Sequence, residues 1–398
     1  MMLRPRVLFL ACHLPYPPVS GGRRRELELI RRLSRQHDIH LMVVSKTYDQ
    51  DLANSHELER FCTSVEVFAA DRVPRDADRQ GEPLQVLRHR CDALSARVAE
   101  VLDEGSIDMV HVEGYYLMQH VPEQAGVPVM LVDQNIEYDL ERQRSAAGGD
   151  AHDLRTHRAE VAAWRRADAL GVLTTEDRDM LVAAFPGADV WLVPDGADHL
   201  PEPATGDQRL DHADGPLAVF LANFGYEPNV DAALHLCGDI LPRVHARMPD
   251  VNLWLVGTDP PPAVAALAGE RVRVTGRVPE VEPYIDAADV MVCPLRIGGG
   301  VKVKAIEALR RGKCVVATTV GAQGMPGPAR SALAIADDPA EFADHVCTLL
   351  ADDHLRHGVE RRSARAGRLL PTWDDAGRAL AAAWTDVLRE RSALRSVS

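Results

Sequence analysis

Short apolar runs rich in Val, Ile and Leu alternate with longer helical patterns along almost the whole chain, and this alternation limits the fold more than any other feature. Seven such runs read as strands between Arg6 and Val193, beginning with Arg6–Ala11 and Ile39–Ser45, and six more lie between Leu217 and Ile335. The intervening stretches, such as Arg23–Gln36, Ile136–Arg166, Val230–Ala246 and Val301–Arg311, carry apolar residues at helical spacing. Apolar strands separated by helices predict βα units with buried parallel sheets, not a sandwich or a bundle. Between the two series the segment 200–215 is polar and rich in Pro, Gly and Asp, which reads as a linker. For 398 residues the expected organisation is α/β, with two doubly wound domains at 1–205 and 206–371 and a final segment at 372–398.

Charge and cysteine usage narrow the partners. The net charge of −14 argues against a general nucleic-acid binder, which must neutralise phosphates. Seven cysteines lie scattered with no C-x-x-C pair, so neither a zinc site nor a disulfide framework is expected and a reducing, cytoplasmic setting is. The apolar run Val7–Cys12 is too short for a signal-peptide core, and no stretch reaches the ~20 apolar residues of a membrane span. Peripheral contact with the inner face of a membrane stays open, because the basic helix at 23–35 could attract anionic lipid.

The most informative stretch runs from Pro294 to Leu309. A strand ends near Cys293, the glycines Gly298, Gly299 and Gly300 follow, and a helix is expected from Val301. Glycines let backbone amides approach a ligand, and a helix N-terminus adds unpaired donors with a positive dipole end. Lys302 and Lys304 would then stand in the first turn, where cations oppose the dipole unless an anion binds. Glu307 follows on the face of Lys304 and could accept hydrogen bonds from two neighbouring hydroxyls, as on a ribose. The plainer reading is a flexible turn and a surface helix with a Lys304–Glu307 pair. A second glycine pair, Gly21–Gly22, follows the first strand and precedes Arg23, Arg24 and Arg25, which could grip a phosphate or an acidic acceptor or simply start a solvated helix.

These features, together with Pro194-Asp-Gly-Ala-Asp198, Tyr226-Glu-Pro-Asn-Val-Asp-Ala232 and Val272-Arg-Val-Thr-Gly-Arg-Val-Pro279, resemble those of retaining GT-B glycosyltransferases. The likeness is to the large family four group, notably its members near bacterial exopolysaccharide and natural-product loci. It covers nearly the whole chain, including Thr372-Trp-Asp374. The resemblance implies a GT-B fold, with two Rossmann-like domains facing across a cleft and 372–398 packed back on the N-terminal domain. It implies a nucleotide-diphosphate sugar donor, an acceptor that is a small molecule, glycan or lipid-linked sugar, and no further cofactor. Glu307 matches the second acid of the family's E-x7-E pair, which holds the nucleotide ribose, and the first acid falls on Gly299. Backbone amides of 298–300 would therefore replace that side chain. Relatives often place Arg and Lys where this chain reads Asn223-Phe-Gly-Tyr-Glu-Pro-Asn229, so the diphosphate falls to Lys302 or Lys304. Gly21 and Gly22 join the donor-binding set.

The family's strand-tip histidine near the donor sugar aligns with Glu113, two residues after His111 on the same strand face. Either residue could stabilise the sugar or handle an acceptor proton, and His111 could equally be a core histidine. Asp133-Gln-Asn-Ile-Glu137 marks the next strand end and is expected at the rim of the acceptor site. Asp177-Arg-Asp179 spells D-x-D but sits at a helix start, where acids favour the dipole, so no metal is assigned. The competing readings are a GT-B-fold nucleotide-sugar epimerase and a non-catalytic binding protein.

Overall fold

A computed structural model of the chain describes residues 4–73, 81–146, 154–200 and 215–397. Two compact units emerge, Met1–Asp195 with Trp373–Ser398 in one and Gly196–Thr372 in the other. From residue 201 to 214 the expected linker lies outside the described residues, and with it the boundary at 205.

The first unit holds β1 (Arg6–Ala11), β2 (Asp38–Ser45), β3 (Ser64–Ala69), β4 (Met109–Glu113), β5 (Val129–Asp133), β6 (Ala169–Val172) and β7 (Val190–Leu192). They form one parallel sheet in the order β3-β2-β1-β4-β5-β6-β7. The second unit holds β8 (Leu217–Leu221), β9 (Asn252–Val256), β10 (Val272–Val274), β11 (Val290–Cys293), β12 (Val315–Ala317) and β13 (Ala334–Ile335), parallel in the order β10-β9-β8-β11-β12-β13. Helices cover both faces of a doubly wound sheet, which is why β4, β5, β8 and β9 are buried at every residue. In each sheet the winding reverses once, between β1 and β4 and between β8 and β11. Ligands of open parallel sheets bind beyond the strand ends at such reversals.

Two helical patterns differ from the sequence reading. Residues 136–166 form two helices, Glu137–Ala146 and Leu154–Arg166, with 147–153 outside the described residues. Residues 230–246 form Glu227–His235, a π turn at Leu236–Ile240 and a further α turn at Leu241–His245. Pro242 has no N–H to give to the carbonyl four residues back, so the ladder has to change pitch just before it.

The C-terminal helix Trp373–Val397 completes the first unit by lying against the helix Gly21–Leu33. Arg32 Nε donates to Asp374 Oδ1 at 2.6 Å. At Gly377 a Cβ would stand 3.0 Å from Arg32 Cβ, so the absence of a side chain permits this approach. Trp384 is wholly buried, edge-on to His37 and His111 at 5.0 and 5.3 Å. Among the described residues no helix is long and apolar enough to cross a membrane.

Truncating Trp384 leaves a large cavity between helix and sheet. Trp384→Ala is expected to destabilise the first unit by about 3–5 kcal/mol, read as a lower urea midpoint of its unfolding transition.

Candidate functional site

In the second unit the loop after β11 leads to a helix at Val303–Arg310. This helix starts two residues later than expected, and Lys302 is its N-cap with φ −93° and ψ 85° instead of a first-turn residue. From there the Lys302 ammonium reaches back to the carbonyls of Gly299 at 2.8 Å and Gly300 at 3.0 Å. A trans peptide points its N–H opposite its carbonyl, so the amides of Gly300 and Val301 are turned away from that ammonium. Gly300 has φ +58°, a backbone state that side chains resist. Lys304 donates to Asn229 Oδ1 at 2.6 Å and lies 4.5 Å from the Phe220 ring centroid. Burial draws its ammonium below the usual lysine range, against the opposing pull of Cys293 and Glu307. Glu307 accepts from His199 Nε2 at 2.8 Å, so the ordinary Lys304–Glu307 pair of the plainer reading is replaced by a partner from far earlier in the chain.

Asn223, beyond the tip of β8, ties this corner together. Its carbonyl accepts from Asn229 Nδ2 at 2.8 Å and its side-chain oxygen from the amide of Gly225 at 2.9 Å. Lys304, Asn229 and Asn223 thus link the loop after β8 to the helix after β11 across the reversal point.

In the first unit the corresponding reversal lies between the tips of β1 and β4. Glu113, the last residue of β4, is buried, and Gly114 follows with φ +97°. A Cβ on Gly114 would meet Tyr116 Cζ at 2.6 Å, so only glycine lets the chain turn here. Trp384 can only donate, and its Nε1 lies 3.2 Å from His111 Nδ1. That fixes the His111 proton on Nε2, which donates to Glu113 Oε1 at 3.0 Å. The other carboxylate oxygen accepts from Gln134 Nε2 at 3.1 Å, and Arg25 Nε stands 4.0 Å away. Burial would raise the Glu113 carboxyl, yet the His111 hydrogen bond and the Arg25 charge hold it below the usual carboxylate range.

His111 therefore has both ring nitrogens on protein partners and is wholly buried, a core histidine that orients Glu113. Gly21 and Gly22 are the first two residues of their helix, capped by Ser20, and a Cβ on Gly22 would stand 3.0 Å from Gln134 Oε1. Two of the expected gripping arginines turn inward. Arg23 is tied to the Leu14 carbonyl at 2.6 Å and to Asp51 at 3.0 Å. Arg25 is buried against the Val193 carbonyl at 3.1 Å and Asp195 at 2.7 Å. Residues two positions apart on a helix point about 200° apart, so the two side chains leave on different flanks, Arg23 toward Asp51 and Arg25 toward Asp195. Asp177 accepts from Thr174 Oγ1 at 2.7 Å within the first turn of the helix Thr175–Ala184.

A pocket of about 70 Å³ opens at the tips of β1, β4 and β5, lined by Cys12, His13, Tyr116, Gln134, Asn135 and Glu137 among others. Sequence reasoning reached its Asp133–Glu137 edge but missed Cys12 and His13, whose only signal was a place just past β1. Also missed were His199, which follows the Pro-Asp-Gly-Ala-Asp motif directly, and Trp384. Asp133 does not face this pocket freely, because it accepts from the Tyr115 amide at 2.8 Å and from Trp164 Nε1 at 2.7 Å.

Residues 215–352 match the family model described as Glycosyl transferases group 1. A Klebsiella pneumoniae protein described as an uncharacterized 44.6 kDa protein in cps region is 23% identical over 376 residues, 86% of this chain and 90% of that protein. Sucrose-phosphate synthase of Thermosynechococcus elongatus superposes with a TM-score of 0.76 at 18% identity, covering 97% of this chain and 100% of that one. HepE of Anabaena, in complex with UDP-glucose, superposes with a TM-score of 0.66 at 16% identity, covering 96% and 99%. The two parallel α/β units and these neighbours define a GT-B fold, and the family match with that fold supports a glycosyltransferase.

Burial, above all, raises the Asp133 carboxyl to about 7, against the pull of its Trp164 and Tyr115 hydrogen bonds. A carboxyl raised in the fold stabilises it fully below its unfolded pKa of about 4 and loses that contribution as the pH climbs through 7. Carboxyl-carbon NMR is expected to place the Asp133 midpoint near 7, and Asp133→Asn to flatten the fall in stability between about pH 4 and 7.

Proposed function

We propose that this chain is a retaining glycosyltransferase that moves a sugar from a nucleotide-diphosphate sugar to an acceptor hydroxyl without a divalent cation. The observation that carries the reading is the loop and helix at 298–307. One short segment gathers the Gly300 and Val301 amides turned away from the Lys302 ammonium, a helix N-terminus, two ammonium groups and a carboxylate held by His199. Amides and ammonium groups suit a diphosphate, and a carboxylate suits the paired hydroxyls of a ribose.

In this reading the amides of Gly298–Gly300 take the place of the missing first acid, Lys302 and Lys304 offset diphosphate charge, and Glu307 binds the ribose. Negative charge grows on the leaving diphosphate as the glycosidic bond breaks, and fixed amide dipoles with ammonium charge nearby lower the barrier. The assignment of Gly21 and Gly22 to donor binding rests on the resemblance of the motifs alone. Glu113 supplies the carboxylate that stabilises positive charge on the sugar, with His111 as a positioning residue. Retention rests on the resemblance of the motifs to the retaining family four. UDP-glucose is the first donor to test, because HepE of the same fold is described in complex with it.

Calorimetric titration with UDP-, GDP-, dTDP- and ADP-sugars in excess EDTA provides the test. Wild type is expected to bind one nucleotide class, and Glu307→Ala to weaken that binding by about 10- to 100-fold, the loss expected for charge-assisted hydrogen bonds. Lys302→Ala and Lys304→Ala are expected to weaken it too. Binding only after a divalent cation is added overturns metal independence. If no donor binds the folded protein, or if Glu307→Ala binds as well as wild type, the donor-site assignment is wrong.

A further inference from the structure

The transfer reading leaves unused a group of side chains at the tip of β1. Cys12 Sγ lies 3.2 Å from His13 Nδ1, and His13 Nε2 lies 3.1 Å from Glu26 Oε2. Sulfur, imidazole and carboxylate thus stand in line, with Glu26 wholly buried on the helix Gly21–Leu33. The His13–Glu26 contact is an ion pair without hydrogen-bond alignment, and neither of those two atoms has another hydrogen-bond partner. From the other side the Tyr116 hydroxyl donates to Cys12 Sγ at 3.3 Å. His89, stacked on Tyr116 at 4.2 Å, gives its Nδ1 proton to the Gln85 carbonyl at 2.7 Å and keeps an Nε2 with no hydrogen-bond partner.

A neutral thiol is a weak acceptor with one proton of its own to place. A sulfur that receives an imidazole N–H and a phenol O–H is surrounded as a thiolate is. Charges from each neighbouring element agree. His13 and His89 act on the sulfur directly, and Lys46, past the end of β2, also feels its charge. Glu26 is the opposing acid and faces His13 instead of the sulfur, and Glu137 lines the same pocket. Burial alone would raise the Cys12 thiol, but the charge and hydrogen bond of His13, with His89 behind it, bring it well below the ordinary value. Burial would likewise lower His13, and the charges of Cys12 and Glu26 carry it well above.

The other six cysteines have no such setting. Burial raises each of them, Cys62 and Cys314 to about 12 and Cys237 to about 11. Cys12 also has an approach route, because it is half-buried and lines the 70 Å³ pocket with His13, Tyr116 and Gln134.

We propose that Cys12 is a thiolate–imidazolium modification site that takes a low-molecular-weight disulfide and caps the pocket at the tips of β1, β4 and β5. The thiolate attacks one sulfur of the incoming disulfide, a new sulfur–sulfur bond forms and the old one breaks. The released half leaves as a thiolate and takes the proton of the His13 imidazolium. Cys12 is oxidised to the mixed disulfide, the reagent is reduced to one thiol, and excess thiol reverses the exchange. The site needs no sugar donor, so its test is independent of transfer activity.

The probe is dithiodipyridine, whose released half is coloured, added to the full folded chain across a pH series, with peptide mapping of the first labelled residue. One equivalent per chain is expected to react at pH ~6.5 at least about 10-fold faster than the remaining six thiols, because an ordinary thiol is only about 1% ionised there. The label should map to Cys12, be lost in Cys12→Ser, and be removed by excess thiol. In His13→Asn the rate midpoint should move up toward the ordinary ~8.5, slowing the reaction at pH ~6.5 by about 10-fold. A first label on another cysteine overturns the proposal, as does a wild-type midpoint near 8.5 or a His13→Asn rate equal to that of wild type. Should His13→Asn misfold by circular dichroism, the wild-type map and midpoint decide the matter alone.

Discussion

A parallel strand covered on both faces has room for polar side chains only at its ends, and both sheets of this chain obey that constraint. Cys12 and His13 follow β1, Glu113 ends β4, Asp133 ends β5, Asn223 follows β8, and the triglycine loop follows β11. Every one of these is at a carboxyl end, since the strands all run the same way. The two reversals of winding then choose, from many strand tips, the pair in each sheet where neighbouring loops part and leave space. His111, wholly buried, is an exception that proves informative. It lies inside β4, and it can do so because Trp384 and Glu113 take both of its ring nitrogens.

The first unit concentrates buried charge to a degree that stability alone does not explain. Arg25, Glu26 and Glu113 are all nearly or wholly excluded from water, with Asp195 and His111 close by. Desolvating an ion costs several kcal/mol even after relaxation, and well-packed apolar residues would often be more stable. What the network supplies is orientation. Glu113 is held by a histidine, a glutamine and an arginine from separate elements, so its carboxylate has one position and stays ionised. The second unit reaches the same end differently, with an ammonium that grips the carbonyls of its own loop.

How much of this could be read from the sequence depends on the distance over which each feature is decided. The strands were legible because burial on both faces makes them apolar throughout. The glycines, Lys302, Lys304 and Glu307 were legible because they sit within ten residues of one another. The pairings were not. His199 with Glu307 spans 108 residues, Arg25 with Asp195 spans 170, and Trp384 with His111 spans 273. Nothing local distinguishes an arginine that faces solvent from one that faces a distant aspartate, which is why Arg23 and Arg25 looked like a gripping patch. The starts of these two helices were each misplaced by two residues for a similar reason: Ser20 caps one and Lys302 the other, and each choice depends on what the loop before it touches.

The last helix belongs to the unit that is made first, and this has a bearing on how the molecule comes into being. As the chain leaves the ribosome, the first sheet can pair its strands, but the slot beside β4 and the helix Gly21–Leu33 stays empty until residues 373–397 have been synthesised. The intervening unit, Gly196–Thr372, has all its strands in one continuous stretch and can complete itself in the meantime. Order of synthesis and order of completion are therefore inverted, with the second unit finishing ahead of the first. During that interval the uncovered slot is an apolar surface on a nascent chain, open to a chaperone or to the wrong helix.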